Sequence, residues 1–107
     1  MTRSEITENI IETIIKTVNP LTVYQFGSTV TGKQHKNSDI DFCIIKNRVS
    51  NKQRMLSDLR LKLWDIPYPL DLILMSEKEF NDRNHLWWTI QGQVQSHGKK
   101  VYEKPTR

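Results

Sequence analysis

The 107-residue sequence has a single cysteine, Cys43, and no group of cysteines and histidines at zinc-ligand spacing. An internal disulfide is therefore excluded, as is a zinc staple, and stability has to come from packing. No apolar run approaches the roughly 18 to 20 residues that span a bilayer, and the start, MTRSEITENI, lacks the apolar stretch of a secretory signal. The expected compartment is the cytoplasm. Repeats and low-complexity segments are absent, and the only internal breaks are short groups of Pro, Gly, Asn and Ser, with no linker. Since about 100 to 200 residues make one domain, residues 1–107 are expected to form one core, without a second lobe for a substrate.

Hydrophobic residues make up 36% and charged residues 26%, close to ordinary soluble usage. The net charge of +4 is unevenly placed: residues 46–71 carry six basic and three acidic groups, and 99–107 carry four and one. The last stretch, with Lys99, Lys100, Lys104 and Arg107, is a basic tail expected to fray into solvent or to dock electrostatically on a partner or RNA.

Ile6, Ile10, Ile11, Ile14, Ile15 and Val18 recur at steps of three and four, which predicts an amphipathic helix opened by Thr2 and Glu5 at capping-box spacing and closed by Asn19-Pro20. Leu21 to Phe26 and Ile40 to Ile45 read as strands, the second nearly continuous in apolar residues as when both faces are covered. A helix is expected over Asn51 to Ile66, with Leu56, Leu59, Leu63 and Ile66 on one stripe and Leu61 and Trp64 on another, until Pro67 and Pro69 stop it. Leu70 to Met75 is a third apolar strand. A last helix is expected over about Asn84 to His97, with Trp87, Ile90 and Val94 inward and Gly98 as a left-handed cap. The order predicts an α/β or α+β domain, a small mixed sheet of three or more strands flanked by helices.

Three carboxylates sit where packing alone would not put them: Asp39 and Asp41 at the start of the second strand, and Asp71 inside the third. Residues two apart on a strand share a face, so Asp39 and Asp41 point together, and Asp71 joins them if the strands are neighbours. Such crowding needs a counter-charge, and oxygen-only ligands suit magnesium or manganese. Gly27-Ser28, directly after the first strand, lets the backbone turn and offers N–H groups to phosphate oxygens, with Lys33 and Lys36 nearby to offset charge.

Together, GSTVTGKQHKNSDIDFCI and the later LDLIL resemble the nucleotidyltransferase superfamily built on the DNA polymerase beta palm, and within it the minimal nucleotidyltransferases. The resemblance runs over nearly the whole chain. It implies a palm-like fold and two magnesium ions held by Asp39, Asp41 and Asp71, with manganese as an alternative. It also implies ATP as substrate, its phosphates held by Gly27 and Ser28, and Asp71 assisting deprotonation of the acceptor hydroxyl. Proteins of this kind are commonly antitoxins paired with a helical HEPN toxin, whose tyrosine receives AMP. Where many such members have an arginine before the glycine at position 32, this sequence has Thr31, and Lys33 is the candidate substitute. Two other readings stay open: a binding module that blocks its partner by contact alone, and transfer to a small molecule.

Other residues take plainer readings. His35, His85 and His97 lack metal spacing, Cys43 reads as a small buried filler, and Trp88 is left exposed if Trp87 faces inward.

Overall fold

Thr2 starts the first helix, α1 (Arg3–Val18): its hydroxyl accepts from the Glu5 N–H at 3.1 Å while its own N–H donates to Glu5 Oε1 at 3.2 Å. Ile6, Ile10, Ile14 and Val18 form the buried stripe, and Asn19, at φ 48°, closes the helix by donating its N–H to the Ile15 carbonyl. The computed structural model describes residues 1–27 and 39–105. After α1 come β1 (Thr22–Phe26), β2 (Ile40–Lys46), α2 (Lys52–Lys62), β3 (Leu70–Ser76), α3 (Glu77–Arg83), α4 (Ile90–His97) and β4 (Lys99–Glu103).

The sheet order is β3-β2-β1-β4, with β2 and β3 parallel and the other neighbours antiparallel. A parallel pair needs a long crossover, and α2 lies in the one between β2 and β3. Alternation along the strands divides the interior into two cores. Val23, Ile40, Phe42, Ile44, Leu72 and Leu74 pack against the stripe of α1 and against Leu59 and Leu63. Cys43, Ile45 and Met75 face the other way, onto Phe80 of α3 and Val94 of α4, where the Tyr24 and Phe80 rings stack at 5.8 Å. The mixed sheet with helices on both faces is the fold expected from the sequence.

The C-terminal part departs from expectation. The predicted helix over 84–97 begins only at Ile90, because Thr89 caps it: the Thr89 hydroxyl accepts from the Gly92 N–H at 3.0 Å and lies 2.7 Å from the Leu86 carbonyl. Residues 84–89 turn instead, leaving Trp87 76% and Ile90 46% exposed; of the three residues expected inward, only Val94 is buried. Gly98 is extended (φ −74°, ψ 153°), not left-handed, since it leads straight into β4. The expected frayed tail is ordered over Lys99–Glu103, where backbone pairing with β1 makes it an edge strand. α2 ends four residues early, and Leu61 and Trp64 of its second stripe are exposed at 72% and 81%.

Candidate active site

The parallel register of β2 and β3 sets Asp41 directly opposite Asp71, and the Ile40 N–H donates to the Pro69 carbonyl at 2.9 Å just before the pair begins. Asp41 shares its face with Cys43 and Ile45, and Asp71 shares its face with Ile73 and Met75. Both carboxylates thus continue the rows that fill the smaller core, but at the end where that core stops. Across the other edge of β2, Phe26 pairs with Asp41, so the exit of β1 reaches the same place.

Gly27 follows Phe26 with φ +83°, and a Cβ built on it would lie 2.3 Å from Asp41 Oδ2. Two separate demands therefore require glycine there: a backbone conformation that L side chains rarely adopt, and close approach to a carboxylate. Burial pushes the Asp41 carboxyl above its ordinary value, and the charges of Asp71 and then Asp39 add to the shift. The three aspartates singled out from the sequence thus act on one another electrostatically. Ser28, Thr31, Lys33 and Lys36 lie outside the described residues.

Arg3 had no signal in the sequence, being 36 positions from its partner. Its Nη2 donates to the Asp39 carbonyl at 3.4 Å, and its guanidinium lies 4.6 Å from the centre of the Tyr68 ring. This ties the start of α1 to the segment entering β2. Cys43, two positions beyond Asp41, is fully buried, and burial pushes its thiol up to about 12, so it fills space and offers no thiolate. His85 and His97 are exposed, the second in the last turn of α4.

Aspartate oxygens are hard donors, and mutual repulsion among them is relieved by a hard cation; the donor chemistry of Asp39, Asp41 and Asp71 fits magnesium or manganese. Among the described residues, no three acidic, histidine or cysteine side chains converge into a finished cage as they stand.

The profile of the nucleotidyltransferase family described as polymerase beta matches residues 8–107. The chain belongs to that family. This nucleotidyltransferase domain also resembles solved structures. One is a toxin–antitoxin with AMP-PNP, at 22% identity over 91% of this chain and 73% of the other, TM-score 0.60. Another is a mutant of the toxin–antitoxin MntA–HpeT, at 19% identity over 91% and 72%, TM-score 0.64. A third, assigned as a nucleotidyltransferase from Sulfolobus solfataricus, has 21% identity over 94% and 79%, TM-score 0.62. At these identities the likeness shows the shared fold. Among curated proteins the sequence has no match.

Proposed function

We propose that this nucleotidyltransferase moves AMP from ATP onto a hydroxyl of a partner protein, a tyrosine of a helical HEPN-type toxin, and so acts as an antitoxin. The observation that carries the reading is the Asp41–Asp71 pair, set side by side by strand register with Gly27 packed onto Asp41. The fold gains nothing from two adjacent carboxylates, and transfer chemistry does. The toxin–antitoxin neighbours, one with AMP-PNP, support the choice of nucleotide and of partner.

In this reading Asp39, Asp41 and Asp71 hold magnesium, or manganese, which when bound supplies positive charge for the triphosphate and for the departing pyrophosphate. Asp71, exposed at the start of β3, accepts the proton of the acceptor hydroxyl. The new bond joins the acceptor oxygen to the α-phosphorus, and the bond from that phosphorus to the pyrophosphate oxygen breaks. Gly27, with Ser28, gives the β- and γ-phosphates a place to lie against backbone, and Lys33 adds charge to them.

The test incubates the protein with α-labelled ATP, magnesium and its partner, beside the Asp41→Asn and Asp71→Asn variants. Label is expected on the partner with the wild type and to fall at least about a hundredfold with either variant. Equal labelling by wild type and variants, or none by the wild type, refutes the enzymatic reading. Exposed Trp87 and Trp88 favour a second reading, inhibition by contact alone. Neutralisation that survives Asp41→Asn and Asp71→Asn but fails with Trp88→Ala selects it.

A further inference from the structure

The parallel ladder of β2 and β3 fixes two of the three aspartates and stops short of the third. Asp41 and Asp71 face each other on its second rung, whereas the first rung joins Ile40 to Leu70, and Asp39 lies before it, exposed. For Asp39 the nearest fixed point is the peptide that joins it to Ile40.

That peptide is gripped at both ends. Its N–H, on Ile40, donates to the Pro69 carbonyl at 2.9 Å, and its C=O, on Asp39, accepts from Arg3 Nη2 at 3.4 Å. The two grips are linked, because the Arg3 guanidinium lies 4.6 Å from the centre of the ring of Tyr68, the residue before Pro69. Arg3 therefore spans the entries of both strands that carry the aspartates. A peptide unit is planar, so holding its N–H and its C=O restricts rotation on either side of it, and with that the direction of Asp39 relative to Asp41. Arg3 is itself anchored: it is the first residue of α1, inside the Thr2–Glu5 capping box, and its carbonyl accepts from the Thr7 hydroxyl at 2.8 Å.

An arginine beside a cation site has two effects of opposite sign. Its charge repels an incoming divalent ion, so by charge alone its removal should tighten binding. Its grip holds a ligand-bearing segment, and loss of a group that orients metal ligands weakens binding by about ten- to a hundredfold. The planar guanidinium donates from its edge while stacking by its face, which suits the second role, and a lysine would fill that role only in part. We propose that Arg3 is a positioning residue for the metal site: with Tyr68 it sets Asp39 against Asp41 and Asp71, and its net effect is to strengthen divalent-ion binding despite its positive charge. The proposal rests on the reading that those three aspartates hold the ion.

Manganese alone is the probe, its binding read from the loss of the free-ion electron paramagnetic resonance signal, with no nucleotide, partner or turnover required. Arg3→Ala is expected to bind manganese about tenfold more weakly than wild type, Arg3→Lys to fall between the two, and Tyr68→Ala, which keeps the arginine and its charge, to weaken binding about threefold. Thermal unfolding in chelator reports separately on the fold: a merely structural role for Arg3 lowers that Tm and leaves manganese affinity unchanged. Arg3→Ala binding as tightly as wild type, or more tightly, overturns the proposal. So does unchanged affinity in Tyr68→Ala, which decides the matter if Arg3→Ala does not fold. A wild type that binds no manganese removes the aspartate site and the proposal with it. If the arginine effect is found while the wild type leaves its partner unlabelled by ATP, the positioning role stands and the transfer reading fails.

Discussion

The two ends of the β2–β3 pair obey the same register and have opposite characters. At the far end Ile44, Ile45, Leu74 and Met75 are all buried, and the strands serve as the wall between two cores. At the near end the register that aligns those apolar residues sets Asp41 beside Asp71, where burial and like charge raise the Asp41 carboxyl. Packing accounts for the first end completely. It opposes the second, and a local arrangement that the fold has to tolerate marks a site of function.

Breaking the packed end has the largest effect. Ile44→Ala removes a fully buried side chain from the larger core and is expected to lower stability by about 3 kcal/mol in urea denaturation. Gly27→Ala comes next, at about 1 to 3 kcal/mol, from its positive φ and the contact with Asp41. Because that contact is with Oδ2, the loss should shrink when Asp41 is also alanine, a coupling that a double-mutant cycle measures.

Asp41→Asn should act in the other direction on stability. The folded Asp41 carboxyl has a raised pKa, so the native state holds its proton more readily than the unfolded chain does, and stability falls as pH rises through that window. Above it, in chelator, the neutral amide is expected to raise Tm relative to wild type, and the advantage should disappear in acid. Trp64→Ala on the outer face of α2 is the smallest change, within about 0.5 kcal/mol, since the ring is 81% exposed.

Periodicity made the packed regions readable in the sequence. The stripe from Ile6 to Val18 and the continuous run in β2 correspond to buried faces, and the capping box at Thr2 formed as spelled. The aspartates stood out because they interrupt such runs. The stretch after β3 was harder, although Ser76 and Glu79 form a second capping box that marks α3. There the hydrogen bonds of Thr89 restart the helix and turn Trp87 outward, while Gly92 is needed because a Cβ would meet the Leu86 carbonyl oxygen at 2.0 Å. β4 has no apolar run to announce it; it is held as a strand by its backbone pairing to β1. The link from Arg3 to Asp39 depends on tertiary proximity, which no local pattern encodes.

In the proposed function the acidic end is a cation-dependent transfer site, and a bound divalent ion would relieve the repulsion among its carboxylates. Thermal unfolding across a magnesium titration, with the Asp41→Asn/Asp71→Asn variant beside the wild type, addresses this directly. Preferential binding to the folded state predicts that the wild-type Tm climbs with magnesium, by the equivalent of about 2.7 kcal/mol at a hundredfold excess over Kd, and that the variant stays flat. Equal shifts in both proteins, or no shift in the wild type, would contradict it.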